Sequence, residues 1–516
     1  MKGVLAKMNL VKTIKSVTDF ASVQETETQY NRILAWKQIY AGYLPRFDGE
    51  EFHETTWKDV YGATHKRRRA SMNMAKVACE QMAALVFNQK CNINVSTVLS
   101  GVNDDGTPKT PTEDLFSVEV MNVLDDNYFK PRLTHEIEHM FAEGGLVIKP
   151  YFDGERIRIT FVTADNFLPL ASRDGLVTDG VFINQFTQDK KFYTLLEWHQ
   201  WNGDVYVIKN QLFQAESVQE IGHEIALATL YPDMEPEIDF NNLSRPLFIY
   251  LKPNIANNFE TDSPLGLSLF ANSLDTLKTL DIWFDSFQRE AVLGRRRVIV
   301  PDSAVKVAVN EQGETRSYFD PDDEVYQAIK FRQGVNAGTN AVPVEQLEAQ
   351  LRVSDHVSAI NANLNAFGRQ IGFSAGTFSF DAAGATIQTA TQVVSENSQT
   401  FRTKQDHEVL VEQAIKGLVT TIAELAQAYS LFSVPDNFDV SIDFDDSIAE
   451  DKIASSSLIM SQVAADLMPK KEAIKRLYGM TDEQAQEWIE QIKAEAPPIA
   501  TNLFGADEQA GAPGDA

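Results

Sequence analysis

The sequence predicts an α+β fold that is predominantly helical, with a β region set between helical ones. Three observations carry this. Apolar residues recur at threes and fours through four long stretches, 67–87, 264–293, 343–371 and 387–429. Between 145 and 255 the texture changes to short alternating runs of Val, Ile, Phe and Tyr. And 43% of the 516 residues are hydrophobic, enough for two to four packed regions.

Residues 1–130 read as mostly helical. The opening MKGVLAKMNLVKTIKSV scatters Lys2, Lys7, Lys12 and Lys15 among its apolar residues. A secretory core would be continuous, so this is a short amphipathic helix and synthesis is expected in the cytoplasm. Met72, Ala75, Cys79, Met82 and Val86 form one helical stripe, with KRRR (66–69) anchoring its start and Cys79 serving as core packing. The block 101–114 is a polar Gly/Pro-rich loop. Asn202-Gly203, between two alternating runs, predicts a type I′ hairpin.

The stretch 264–293 predicts a helix of about 45 Å, with Leu267, Phe270, Leu274, Leu277, Phe284 and Ala291 on its stripe. Asp281 falls on that stripe, where a buried partner or an exposed edge must account for it. RRRVIVP (295–301) reads as a strand, 302–324 as acidic turns, and VYQAIKF (325–331) as β again. Val344, Leu347, Leu351, Val357, Ile360, Leu364 and Phe367 predict a second helix of about 45 Å. Two matched helices flanking a small β element make a stalk with a tip. The glycine-rich 372–386 follows, where Phe373, Phe378 and Phe380 serve equally well as buried anchors. The helix from 387 to 429 would span about 65 Å, and its polar first half predicts a solvated face or a neighbouring chain. Helices are expected at 448–466, 470–478 and 482–495, and disorder after Glu495.

Charge and motifs narrow the function. The chain holds 46 Lys+Arg against 73 Asp+Glu, a formal net charge of −27. Tight phosphate binding needs clustered cations, so a chain this acidic is a poor candidate for gripping nucleic acid, although it could still surround DNA without sticking to it. Cys79 and Cys91 are the only cysteines, which implies no disulfide framework. No apolar run reaches the 18 residues of a membrane helix. HEIEH (His135 to His139) matches a zinc-protease string, but no third ligand stands out, and an exposed helix face explains it as well. Phosphate-cradling GxxxxGK[ST] and GxSxG are absent. The acidic runs 320–324 and 443–446 lack the glycine and terminal Glu of a calcium loop. The expectation is a protein with no catalytic residue, metal or cofactor.

Taken in order, RRRASMNMAKVACEQMAALVFNQK, EGGLVIKPYFD, DNFLPLAS, PLGLSLFANSLDTLKTLDIWFDSFQREAVLGRRRVIVP, IGFSAGTFSFDAAGATIQTATQVVSENSQTF and AIKRLYGMTDEQ resemble portal proteins of siphophages infecting Gram-positive bacteria. The resemblance covers roughly residues 30 to 495, and Gln89 and Gln392 depart from the Glu of many relatives. It implies the phage portal architecture in a ring of twelve subunits at one capsid vertex of the virion. By it, 1–29 is an N-terminal arm, 30–263 the wing, 264–293 and 343–371 the stem helices, and 294–342 the clip. Residues 372–386 are then the tunnel loop, 387–432 a long wing helix, 433–495 the crown and 496–516 a disordered tail. Thr377, Phe378, Ser379, Phe380 and Asp381 would lie nearest the DNA, which passes without being read. Arg295, Arg296, Arg297, Asp320, Asp322 and Asp323 would dock terminase and then a head–tail adaptor. Capsid and scaffold proteins are further implied partners. The alternatives are a scaffold or head–tail connector, or a zinc-dependent hydrolase using HEIEH.

Overall fold

The computed structural model describes residues 23–42, 54–58, 62–102, 108–109, 114–217, 220–261, 263–293, 297–299, 306–309, 315–318, 345–347, 351–379, 398–445 and parts of 459–489. The chain divides into two units, one of residues 1–386 with 397–445, the other of 387–396 with 446–516.

The first unit opens with α1 (Val23–Tyr40), followed by the hairpin β1 (Glu54–Lys58) and β2 (Thr64–Arg68). KRRR therefore lies largely in a strand and not at a helix start. The two strands pair antiparallel, with Glu54 in register with Arg68 and Lys58 with Thr64. α2 (Met74–Val86) begins only after Asn73, whose left-handed φ of 48° turns the chain into the helix. The predicted stripe is otherwise correct: Ala75, Cys79, Met82 and Val86 are buried. Strands β3 (Asn92–Thr97), β4 (Leu99–Val102) and β5 (Pro108–Lys109) further break the expectation of a mostly helical first 130 residues. α3 (Leu115–Asp126) and α4 (Phe129–Glu143) complete this part.

The β region stands as expected. β6 (Leu146–Phe152) and β7 (Ile157–Thr163) pair with each other. β8 (Phe167–Arg173), β9 (Leu176–Gln188), β10 (Lys191–Asn202), β11 (Val205–Ala215) and β12 (His223–Ile225) form an antiparallel sheet in the order β12-β11-β10-β9-β8. β13 (Glu237–Asn241) adds to β11, and β14 (Ile249–Leu251) pairs with β6. The β10–β11 turn differs from its prediction by one residue. Asn202 pairs with Val205, so the central residues are Gly203 and Asp204. With φ of 64° at Gly203 first and no positive φ at Asp204, this is the type II′ pattern. The type I′ pattern occurs at Asp174-Gly175, where φ is 53° and 78°.

α5 runs over Leu274–Leu293, ten residues shorter than expected. Residues 264–270 are held non-helically because their backbone finds other partners. Leu269 N donates to Phe141 O at 2.8 Å, Ser268 Oγ to the same carbonyl at 3.1 Å, and Lys252 Nζ to Pro264 O at 2.7 Å. β15 (Arg297–Ile299), β16 (Lys306–Val309), β17 (Thr315–Tyr318) and β18 (Glu345–Leu347) follow, pairing as β15–β18 and β16–β17. The ladder to β15 takes Glu345–Leu347 out of the predicted second helix, so α6 spans Val353–Gln370. Residues 325–331, expected as β, lie outside the described residues.

α7 (Ser398–Tyr429) buries Val411, Ala414, Ile415, Leu418, Val419, Ile422, Leu425 and Ala426. Each large apolar side chain so buried contributes about 1.5–3 kcal/mol of transfer free energy. Its polar first half has the expected solvated face, at Gln399, Arg402, Gln405 and Asp406, and a buried polar face opposite. Thr400, Lys404, His407 and Glu408 are buried, Lys404 Nζ pairs with Glu408 Oε1 at 2.8 Å, and His407 Nδ1 accepts from Asn254 N at 3.0 Å. Residues 387–397 of the predicted helix lie outside the described residues. β19 (Phe438–Asp443) pairs with β3, so 433–445 belong with the first unit and not with a crown beginning at 433.

In the second unit α8 (Lys470–Tyr478) has the expected bounds, and 459–463 are helical. The N-terminal amphipathic helix and the tail after Glu495 lie outside the described residues. No helix among the described residues is long and apolar enough to cross a membrane.

Candidate functional site: the paired helices and the turn that follows

α5 and α6 pack antiparallel. At one end Thr276 Oγ1 donates to Gln370 Oε1 at 2.8 Å. At the other, Glu290 gathers four donors from the first turn of α6 and its N-cap. Arg352 donates its backbone N at 3.0 Å, Nε at 3.1 Å and Nη2 at 2.9 Å, and His356 Nε2 lies 2.5 Å away. Arg352 first, then His356, hold the Glu290 carboxyl down to about 2. The His356 ring is buried against Trp283 and Phe287. One carboxylate thus closes the root of residues 294–351.

α5 is also tied to the segment after β2. Asp281, flagged in the sequence as out of place on an apolar stripe, has the buried partner its position requires. Its Oδ1 accepts from Ser71 Oγ and Met72 N, both at 3.0 Å, and burial pushes its carboxyl up to about 6. One turn on, Asp285 takes a bidentate pair from Arg67 at 2.7 and 2.6 Å and a bond from Ala70 N at 3.0 Å. The charge-assisted fork fixes both direction and register. Of the three consecutive arginines 67–69, Arg67 forms this fork, while Asp281 is met by Ser71 and Met72.

The outer side of the helix pair leaves apolar residues uncovered within one chain. Val292 is 58% exposed, Leu351 49%, Val353 46%, Ile282 44% and Trp283 37%.

After α6 the chain turns at Gly372, where φ is 86° and a Cβ would fall 2.6 Å from the Thr403 side chain. Thr403 Oγ1 donates to Gly372 O at 2.9 Å, and Ser374 N donates to Thr400 Oγ1 at 2.8 Å. The turn is therefore laced to α7. Phe373 and Phe378 are buried, with Phe378 against Phe367 and Phe373 at ring separations of 6.1 and 5.0 Å. Of the expected DNA-proximal residues, Phe378 is thus a core anchor, because two aromatic neighbours take it in. Thr377 and Ser379 are exposed, with Thr377 Oγ1 bonded to Ser374 O at 2.8 Å. Phe380 and Asp381 lie outside the described residues. So do Arg295, Arg296, Asp320, Asp322 and Asp323; Arg297 is placed only as a backbone partner of Leu347 in β15.

HEIEH lies on α4. His135 is exposed, His139 Nδ1 is 3.0 Å from Glu136 Oε2, and Glu138 takes Tyr40 Oη at 2.6 Å together with Lys76. The string is spent on pairs within and beside its helix. Among the described residues no group of three or more His, Cys, Asp or Glu is placed to hold a metal ion.

The family described as "Phage portal protein, SPP1 Gp6-like" matches residues 21–498. No curated protein matches the chain. Among solved structures, it is similar to a chain of "Neck of empty GTA particle computed with C6 symmetry", at 12% identity and a TM-score of 0.37, covering 79% of this chain and 89% of that one. It is also similar to a chain of "Virion of native gene transfer agent (GTA) particle", at 12% identity and a TM-score of 0.36, covering 79% and 88%. The family match runs through both units and nearly the whole length, and this chain belongs to the SPP1 Gp6-like family of phage portal proteins.

Proposed function

We propose that this portal protein, a virion component at the capsid vertex, closes into a ring of twelve copies around a channel that passes double-stranded DNA during packaging and ejection. The observation that carries the ring is the set of exposed apolar residues on α5, on α6 and just before α6. Ile282, Trp283 and Val292 on α5, Val353 on α6 and Leu351 just before it are each more than a third exposed, and apolar side chains left exposed on paired helices suit association. A second copy of the same pair is the cover that a closed ring supplies. The net charge of −27 suits a lumen that repels DNA and lets it slide.

In this reading the protein works by shape and has no reaction of its own. Assembly takes place in the host cytoplasm with capsid and scaffold proteins. The DNA-proximal role falls to Thr377, Ser379, Phe380 and Asp381, and Phe378 drops out because it is buried. Arg295, Arg296, Arg297, Asp320, Asp322 and Asp323 form the clip surface for terminase and the head–tail adaptor. Segregated charges there suit partners that must dock in one orientation and then exchange.

Light scattering after size exclusion tests the ring. The wild type should run at many times 57.7 kDa, and Trp283→Glu should shift it toward the monomer. A wild type that is monomeric at every salt concentration would sink the proposal. For the clip, Asp320→Lys, Asp322→Lys and Asp323→Lys together should leave the ring intact and weaken terminase binding in a salt-dependent way. Undiminished binding at low and high salt would remove the clip assignment.

A further inference from the structure

α1 lies on the first unit through polar as well as apolar contacts. Tyr30, Ile33, Trp36 and Ile39 face inward at threes and are buried. Around them Gln29 Nε2 donates to Gly266 O at 3.2 Å, the Tyr30 hydroxyl donates to Phe167 O, and Arg32 pairs with Glu260 at 2.7 Å. Toward its C-terminal end, Lys37 Nζ lies 3.1 Å from Glu143 Oε1 and 3.0 Å from Asp165 Oδ2. The two carboxylates are 5% and 6% exposed, whereas Lys37 remains 44% exposed.

Lys37 therefore offers one positive charge to two buried carboxyls. These are close enough for Asp165 N to donate to Glu143 Oε2 at 3.3 Å. Two like charges in a water-poor site cannot both ionise without a penalty. The other titratable groups facing the cluster are Tyr30 on α1, His139 on α4 and Tyr250 on β14. Thr163 Oγ1 and Asn166 Nδ2 donate to Asp165 Oδ1 at 2.6 and 3.0 Å, which fixes that carboxylate in place.

We propose that α1 is a proton-gated strap, latched by Lys37 across the Glu143–Asp165 pair and loosened as the pair gives up its proton. Burial, then the charge of Asp165, push the Glu143 carboxyl up to about 7, and the pull of Lys37 in the other direction is smaller. The sign follows. A carboxyl raised in the docked state contributes stability that is present below its ordinary range and lost as pH rises through about 7. Water reaching the pair on undocking removes the penalty, so α1 loosens on the alkaline side.

Hydrogen exchange of the full-length protein at pH 6 and pH 8.5, corrected for the intrinsic rate, reads this out in peptides covering 28–40. Protection there should fall on the order of tenfold or more at pH 8.5, while β6 and β7 stay unchanged. Glu143→Gln, which keeps the shape and abolishes the charge, should hold the protection at both pH values. Asp165→Asn, which removes the charge that raises Glu143, serves as a second variant and should shrink the loss of protection and move it to lower pH. Wild-type protection that ignores pH would overturn the proposal, as would variants that both follow the wild-type profile.

Discussion

Phe378 occupies a position where an aromatic ring could face DNA or core, and its neighbours decide the matter. Phe367 and Phe373 flank it, and Gly376 N is held by Asn365 Oδ1 at 2.7 Å, which turns the chain so that the ring points inward. Phe378→Ala should therefore cost about 3–5 kcal/mol, as truncation of a buried phenylalanine does. A thermal midpoint within a degree of wild type would contradict the burial. The sequence left this residue open between anchor and tunnel lining, because a Gly-rich segment carries no periodicity from which to read an inward face. Asp281 was legible in a different way. A carboxylate on an apolar stripe announces a partner, but Ser71 and Met72 lie some two hundred positions away and nothing local points to them.

Among the elements, those with a strong local signal survived. The β region and α8 lie where pattern placed them, α2 does so from Met74 onward, and Asp174-Gly175 shows that a second turn signal was present in the letters. What failed was where non-local pairing overrode period. Residues 345–347 continue an apolar helical pattern, yet the ladder with 297–299 claims them. The first half of α7 reads as polar, yet it also carries a buried face, where His407 accepts from the backbone N of Asn254, 153 positions away. The α5 tether to 67–72 carries a pH signature of its own. Asp281 sits at about 6, above its ordinary value, so its contribution is present in acid and lost as pH rises through about 6. Asp281→Asn retains an oxygen for both donors and should gain roughly 2 kcal/mol relative to wild type between pH 4 and pH 8. Urea unfolding at the two pH values measures it. Parallel shifts in both proteins would refute the assignment.

For the whole molecule, composition and segment order were enough to reach the family, whereas the site residues on 294–342 and 380–381 were named from resemblance and await direct tests. Charge is a property of the sum, so −27 constrains a lumen without saying which side chains line it. The pairing of β3 with β19 has a consequence in time. Residues 92–97 wait for 438–443, and Asn94 Nδ2 for Asp443 Oδ2 at 2.9 Å. At about 5–20 residues per second a ribosome needs roughly 20–70 s to make the intervening chain. Throughout that interval the faces of α2, α3 and β6 that α7 will cover are exposed to whatever else the cell is making. The nascent chain is then at its most aggregation-prone, and chaperone capture falls in the window before residue 443 emerges.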